Sequence, residues 1–77
     1  MQYKVVTKSG CVWCGEAKSL LATLKLPYTE VHLKTDKELS AFKDSGFDTL
    51  PQIWEDGRHI GGYTDLLATF QERIANV

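Results

Sequence analysis

The alternation of β-forming and amphipathic segments predicts an α/β fold, a four-stranded mixed sheet flanked by three helices. Segments with helical spacing separate short β-rich runs, in the order β-α-β-α-β-β-α. The opening β-α-β unit implies a parallel strand pair joined by a right-handed crossover. The dipeptide Asp56-Gly57 is a two-residue hairpin signal and implies an antiparallel pair. Helices on both faces are the compact way to cover such a sheet.

The first half of the chain contains a strand, a helix and a second strand. Residues 2–7 are rich in β-forming side chains and predict the first strand. Residues 12–25 predict a helix, because their apolar side chains recur at helical spacing. These side chains are Trp13, Ala17, Leu20, Leu21 and Leu24. Pro27 ends that helix, and residues 28–33 predict the second strand.

A capping box opens the second helix. Thr35 is expected at the N-cap and Glu38 three residues later, where each can bond the other's backbone N–H. The apolar side of this short helix consists of Leu39 and Phe42, and the helix is expected to end near Gly46.

The last third of the chain predicts a β-hairpin and a helix. Residues 51–55 form the third strand and residues 58–60 the short returning strand. Thr64 is the expected N-cap of the last helix. The apolar side of that helix consists of Leu66, Leu67, Phe70 and Ile74.

Length and charge limit the possible functions. The 77 residues predict one domain over residues 1–77. The net charge of −1 argues against a generic nucleic-acid binder, which needs a basic excess. No apolar run approaches the ~20 residues that span a membrane. The N-terminal residues lack the layout of a signal peptide, so the predicted location is cytoplasmic.

The two cysteines, Cys11 and Cys14, form a C-x-x-C pair. A disulfide that closes so short a loop constrains the unfolded chain little, so it would add little to the stability of the fold. The pair is either a reactive dithiol or half of a metal site. Zinc needs four ligands, and the remaining candidates, His32 and His59, lack zinc-finger spacing. We therefore expect a redox dithiol, no metal, and two ordinary histidines.

The cysteine pair lies at the first strand-to-helix junction, where α/β folds place functional sites. The positive end of the helix favours a thiolate at Cys11, and Cys14 follows one turn further in. We expect Cys11 to attack and Cys14 to resolve. Residues 1–18 carry a local charge of +2 against −3 for the remainder, and Lys8 is the best-placed cation.

Two later segments could serve this pair. Pro51 belongs at a strand start or edge, and X–Pro bonds are cis in only ~5–6% of cases, so its residue type alone favours trans. Residues 61–65 combine two glycines with a helix start. Free N–H groups there could bind a carboxylate, and Asp65 could pair with an ammonium, as the α-amino acid head of a ligand requires. A plain turn is the alternative.

Together these motifs resemble a glutaredoxin over essentially the whole chain. Residues 8–14 correspond to the active-site loop, residues 49–53 to the cis-proline loop and residues 59–66 to the glutathione-binding turn. The resemblance implies a thioredoxin fold, a cis Pro51, and glutathione as co-substrate. It also implies a glutathione-dependent disulfide oxidoreductase that reduces protein disulfides and glutathione mixed disulfides.

The resemblance implies the following roles. Cys11 is the nucleophile and Cys14 the resolving thiol. The expected glutathione-binding residues are Lys8, Trp13, Leu50, Pro51, Gly62, Thr64 and Asp65. Lys8 lies near the glycine carboxylate, the Leu50 backbone pairs with the cysteinyl part, and Thr64 and Asp65 hold the γ-glutamyl head. Trp13 stands where the family usually has tyrosine, as a wall of the site.

One residue departs from the family pattern, because Val12 replaces the usual proline of the loop. Loops without this proline are more permissive, so Val12 keeps open the alternative of an iron–sulfur carrier with glutathione as a cluster ligand. Residues 46–51 are similar to those of small redoxins recycled by thioredoxin reductase, which is the second alternative. The resemblance also implies a monomer, with ribonucleotide reductase as a family-level candidate partner.

Overall fold

The structure is a computed structural model that describes the backbone of residues 2–75 and the side chains of residues 2–73. Its elements follow the predicted order. They are β1 (Tyr3–Lys8), α1 (Val12–Thr23), β2 (Tyr28–Leu33), α2 (Asp36–Asp44), β3 (Gln52–Glu55), β4 (Arg58–Gly61) and α3 (Tyr63–Ala75). The prediction for the Ile74 side chain lies outside the described part.

The four strands form one mixed sheet in the order β2-β1-β3-β4. Strand β1 pairs in parallel with β2 and antiparallel with β3, and β3 pairs antiparallel with β4. The predicted parallel pair and hairpin are therefore both confirmed. A register irregularity at Ile53/Trp54 bends the hairpin.

The main core lies on the sheet face covered by α1 and α3. Its members are apolar side chains from the central strands and the facing sides of these two helices. They are Tyr3, Val5, Ala17, Leu21, Ile53, Leu66 and Phe70. Because side chains alternate along a strand, the neighbours of these strand residues point to the opposite face.

That opposite face carries an aromatic group that α2 covers. Phe42 of α2 stacks on Phe47 with ring centroids 4.8 Å apart, and Phe47 meets Trp54 edge-on at 5.5 Å. The Lys4 ammonium lies 4.5 Å from the centroid of the Trp54 ring. Helices therefore flank both faces, as predicted.

Two details of α1 differ from the prediction. The helix ends at Thr23 and not at residue 25, because Lys25 has a positive φ of 58°. Trp13 and Leu24 are 59% and 39% exposed although their spacing is helical. The helix buries a narrower stripe because α3 and the sheet contact only one side of it.

The predicted N-cap of the last helix is wrong. Helix α3 begins at Tyr63, so Thr64 lies inside its first turn. The Asp65 carboxylate takes the capping role by accepting the Gly62 N–H at 3.0 Å. In contrast, the capping box of Thr35 and Glu38 at the start of α2 is confirmed in both directions.

The apolar sides of α2 and α3 are less buried than expected. No residue of α2 is fully buried, and Leu39 and Phe42 are half-buried. Leu67 of α3 is also half-buried. None of the helices in the described part has the length and apolar content that a membrane crossing requires.

A buried carboxylate ties the end of β3 to α3. Glu55 is 6% exposed, and both of its oxygens accept bonds of 2.6 Å from the Arg73 guanidinium. The Tyr3 hydroxyl donates to the same carboxylate. These bonds lower the pKa of Glu55 to about 2, with Arg73 as the largest cause, against the opposing effect of burial.

Replacing Arg73 by methionine is expected to lower the free energy of unfolding by about 1–3 kcal/mol, because it leaves a buried acceptor with fewer partners. The pKa of Glu55 is lower in the folded chain than its ordinary value of 4.5. The stabilisation is therefore complete above that value and is lost as the pH falls toward about 2.

Urea unfolding at neutral and acidic pH measures both effects. Arg58→Met is the matched control, because Arg58 is exposed and acts on the Glu55 carboxylate only through its charge, the smallest of the causes that lower the pKa of Glu55. Equal losses of stability in the two arginine variants would contradict this role of the pair.

Candidate active site

Cys11 and Cys14 are joined by a disulfide at the start of α1, with their Cα atoms 5.3 Å apart. Cys11 is the N-cap residue and has an extended backbone. Its side chain is partly exposed, whereas Cys14 is only 2% exposed. A molecule from solution can therefore reach the sulfur of Cys11 and not that of Cys14.

The helix start provides a polar partner for Cys11. The backbone N–H of Cys14 donates to the Sγ of Cys11 at 3.1 Å. This is the capping bond that a serine or aspartate oxygen usually accepts. In the reduced chain the same N–H and the positive end of α1 stabilise a thiolate at Cys11.

The segment before β3 lies directly beside this sulfur. The Leu50–Pro51 peptide bond is cis, as the resemblance implied and contrary to the expectation from residue type alone. The carbonyl oxygen of Leu50 lies 3.5 Å from the Sγ of Cys11. The Gln52 side chain supports the segment by donating to the carbonyl of Thr49 at 3.0 Å.

The glycine turn packs on the same segment. A Cβ atom at Gly62 would lie 3.4 Å from the carbonyl oxygen of Pro51. Gly61 has a φ of 126°, and a Cβ there would overlap the Asp65 carboxylate that caps α3. Only glycine combines this backbone with so close an approach. The turn is thus held against the cis-proline segment.

Trp13 reaches the turn from the side of α1. Its indole stacks on the ring of Tyr63 with centroids 5.4 Å apart. Because more than half of Trp13 is exposed, the stacked pair forms a wall beside the disulfide.

A groove of about 410 Å³ opens on the other side of Leu50. We call it the α2 groove, since α2 forms one of its walls. Its lining includes Lys8, Leu39, Phe42, Lys43, Phe47 and Leu50.

The residues predicted for the site lie around Cys11. Leu50 is next to the Cys11 sulfur, and Pro51 packs against Gly62. Trp13 stacks on Tyr63 at the start of α3, and Lys8 lines the α2 groove. Thr64 and Asp65 are exposed on the turn. The Thr64 hydroxyl makes no hydrogen bond to the described residues, and one oxygen of Asp65 caps α3.

In the described part no three His, Cys, Asp or Glu side chains form a metal-binding group.

A polar network behind the site was missed by the sequence analysis, which took His32 as an ordinary strand residue. The hydroxyl of Thr7, which is 1% exposed, lies 2.6 Å from a carboxylate oxygen of Glu30 and 3.0 Å from Nδ1 of His32. The Nε2 of His32 lies 3.2 Å from the Ser9 hydroxyl, two residues before Cys11. Lys18 of α1 donates to the same oxygen of Glu30 at 3.0 Å. The sequence predicts that β1 and β2 are parallel, but it does not give the register that places Thr7 beside His32.

The hydrogen-bond directions in this network follow from the charge of Glu30. Bonds from Thr7 and Lys18 lower the pKa of Glu30, so the carboxylate is ionised at neutral pH and can only accept. The Thr7 proton therefore points to Glu30, and its oxygen accepts from Nδ1–H of His32.

The two histidines of the chain are accordingly expected to adopt opposite tautomers when neutral. His32 carries its proton on Nδ1. His59 carries it on Nε2, because Nε2 lies 2.7 Å from the Gln52 amide oxygen, an acceptor. Long-range ¹H–¹⁵N correlation spectra of both rings measure this, with each ring as the control for the other. An Nε2–H tautomer at His32 would contradict the assigned network.

Comparison with known proteins gives the family. The sequence model of the family described as Glutaredoxin matches residues 4–60, most of the chain. The chain belongs to the glutaredoxin family. With its Cys11–Cys14 pair it is a thiol–disulfide oxidoreductase.

Individual relatives agree with this assignment. Glutaredoxin 1 of Escherichia coli is 32% identical over 83 residues, which cover 96% of this chain and 98% of the relative. Glutaredoxin 3 of the same organism is 37% identical and covers 84% of this chain and 81% of its own. The hybrid peroxiredoxin hyPrx5 of Haemophilus influenzae is 40% identical over 63 residues, but the match covers 80% of this chain and only 26% of that protein.

The fold is confirmed by solved structures. Glutaredoxin 1 of Francisella tularensis, determined in complex with cacodylate, superimposes with a TM-score of 0.84 at 32% identity and covers 99% of this chain and 98% of its own. Reduced E. coli glutaredoxin superimposes with a TM-score of 0.71 at 33% identity, over 97% and 99% of the two chains. The architecture is the thioredoxin fold that the resemblance implied.

Proposed function

We propose that this chain uses glutathione to reduce protein disulfides and glutathione mixed disulfides. The observation that carries the proposal is the position of the accessible Cys11 sulfur, 3.5 Å from the Leu50 carbonyl and on the segment that packs against the glycine turn. A cysteinyl peptide bonded to Cys11 would find backbone partners at Leu50, and its amino-acid head would reach the turn.

In the monothiol route the Cys11 thiolate attacks the glutathione sulfur of a mixed disulfide. A bond forms between Cys11 and glutathione, and the target cysteine leaves as a thiolate that takes a proton from water. A second glutathione thiolate then attacks the glutathione sulfur bonded to Cys11. This releases oxidised glutathione and restores the Cys11 thiolate.

In the dithiol route the Cys11 thiolate first attacks one sulfur of a protein disulfide, which forms a disulfide between Cys11 and that sulfur and releases the other target cysteine as a thiolate. Cys14 is too buried to meet the substrate, but the 5.3 Å between the two Cα atoms lets its thiolate attack Cys11 Sγ. This attack releases the target cysteine that was bonded to Cys11 and forms the Cys11–Cys14 disulfide. Two glutathione molecules reduce that disulfide and leave as oxidised glutathione.

The groups around Cys11 match the three parts of glutathione. The Leu50 backbone pairs with the cysteinyl part, beside the wall of Trp13 and Tyr63. The free oxygen of Asp65 meets the ammonium of the γ-glutamyl head, and the Thr64 hydroxyl serves its carboxylate, because the Gly62 N–H is already donated to Asp65. Lys8 provides a cation for the glycine carboxylate.

Serine variants of the two cysteines separate their roles. Cys11→Ser is expected to lose all activity, because it removes the accessible thiol of the pair and leaves only the buried Cys14. Cys14→Ser is expected to keep deglutathionylating activity and to lose the reduction of protein disulfides that need a resolving thiol. NADPH oxidation coupled to glutathione reductase measures both reactions.

Replacing glutathione and its reductase by thioredoxin reductase tests the electron donor. Faster turnover with thioredoxin reductase would favour the alternative of a small redoxin over the proposed function. Equal loss of deglutathionylation in the two serine variants would contradict the assigned roles.

Asp65→Asn tests the amino-acid head subsite with little change to the fold. The amide oxygen can still accept the Gly62 N–H, but the charge for the ammonium is gone. We expect KM for a glutathionylated peptide to rise about tenfold, the effect of losing a charged hydrogen bond, with little change in kcat. Asp56→Asn is the control, since Asp56 caps the opposite end of the sheet by accepting the Gln2 N–H. Unchanged KM in Asp65→Asn would argue against this subsite.

Several other expectations stay predictions. They are the single domain over residues 1–77, the monomeric state, the cytoplasmic location and ribonucleotide reductase as a protein substrate.

A further inference from the structure

We propose that His32 is a positioning residue for the active site, because it anchors the loop that carries Cys11 and so keeps the Cys11 sulfur where its thiolate is stabilised. The contact that carries this proposal joins Nε2 of His32 to the hydroxyl of Ser9, 3.2 Å apart. The role concerns the thiol chemistry of Cys11 itself, so it goes beyond the proposed function and does not depend on which molecule recycles the dithiol.

The loop before Cys11 has few anchors of its own. It consists of Ser9 and Gly10, which are exposed and join the end of β1 to the N-cap of α1. Gly10 has a φ of 71°, and a Cβ atom there would meet nothing within 4 Å, so no neighbour packs on that side of the turn. Among the described residues the Ser9 hydroxyl bonds to His32 alone. The contact with His32 is therefore the side-chain anchor of this loop.

The thiolate at Cys11 depends on where this loop holds its sulfur. The Sγ accepts the Cys14 N–H at 3.1 Å while Cys11 keeps its N-cap conformation, with a φ of −101° and a ψ of 104°. A hydrogen bond weakens steeply as its angle falls, and the effect of a helix end fades within the first turn. A loop that swivels at Gly10, a residue with unusual backbone freedom, would therefore stabilise the thiolate less.

His32 suits this role because its other ring nitrogen is fixed to the core. Nδ1 lies 3.0 Å from the hydroxyl of Thr7, the residue paired with His32 in the parallel register. Thr7 is 1% exposed and also donates to Glu30, which forms an ion pair of 3.0 Å with Lys18 of α1. The imidazole thus links the loop to the sheet and, through Glu30, to α1.

The contact with Ser9 persists in both charge states of His32. Neutral His32 with its proton on Nδ1 accepts a hydrogen bond from the Ser9 hydroxyl at Nε2, and protonated His32 donates from Nε2 to the same oxygen. Of the charged groups in the described part, the Glu30 carboxylate lies 3.6 Å from Nδ1, and Lys18 pairs with Glu30. The anchor is therefore not a pH switch.

Two amide variants separate the two arms of the imidazole. In His32→Gln the amide reaches about as far as Nε2 and can still bond Ser9, whereas the shorter amide of His32→Asn reaches only as far as Nδ1 and bonds Thr7. Ser9→Ala removes the anchor from the exposed loop, so it tests the role even where a His32 variant folds poorly. All variants are made in the Cys14→Ser background, in which Cys11 is the sole thiol.

The rate of alkylation by iodoacetamide is measured against pH. The thiolate is the nucleophile, so the rate on the acidic limb of the profile follows the thiolate fraction, while the plateau at high pH follows access and intrinsic reactivity. A merely structural contribution, measured by urea unfolding, would lower stability without moving the acidic limb.

We expect His32→Asn and Ser9→Ala to react about fivefold more slowly than the parent on the acidic limb, the effect of one weakened hydrogen bond, with no fall of the plateau. His32→Gln should stay close to the parent. Combining Ser9→Ala with His32→Asn should slow the reaction no further, because both remove the same contact. The matched control is Ser45→Ala, which removes a bond of 3.0 Å to the Ala41 carbonyl at the end of α2 and should leave the profile unchanged.

Profiles that match the parent in both His32→Asn and Ser9→Ala would overturn the role of His32. So would the reverse order, with His32→Gln slow and His32→Asn unchanged, because it would assign the effect to the contact with Thr7. Failure of the proposed function looks different. In that case turnover coupled to glutathione reductase would be absent in the unmodified chain, while the order of the alkylation rates persisted.

Discussion

Strand β1 lies between β2 and β3, and its hydrogen bonds to both neighbours determine where the chemistry takes place. The carboxyl end of β1 leads into the loop that carries Cys11. Because β3 runs antiparallel to β1, the cis-proline segment that precedes β3 lies at the same edge of the sheet. Strand β4 reverses direction again and delivers the glycine turn to that edge. Three segments far apart in sequence therefore meet at one place.

The site built at that edge depends more on backbone groups than on side chains. The Cys14 N–H contacts the Cys11 sulfur, the Leu50 carbonyl lies beside it, and Gly62 approaches the Pro51 carbonyl. Such groups are held in place by strand pairing and helix capping, so few side chains are needed for a substrate that brings its own thiol. The ion pair of Glu55 and Arg73 lies at the opposite end of β3. It stabilises the fold at a distance from the reactive sulfur.

Much of the site could be predicted because its motifs are local. The C-x-x-C spacing places Cys14 one helical turn after Cys11, whatever surrounds the two residues. The glycines of the turn indicate a backbone conformation that other residues rarely adopt. Predictions failed where a neighbour decided the outcome. Trp13 has helical spacing yet stays exposed, with its ring stacked on Tyr63 outside the core. Thr64 is a good capping residue, but Asp65 reaches the Gly62 N–H instead.

The sequence by itself determined the order of the elements, the reactive pair and the family, because periodicity, cysteine spacing and short motifs are carried by adjacent residues. Only the tertiary structure decided which groups meet across the sheet. The contact of Ser9 with His32, the pairing of Glu55 with Arg73, and the shared groove of Lys8 and Lys43 all join distant positions. Strand register and helix packing, which no local pattern records, place these side chains within a few ångströms of one another.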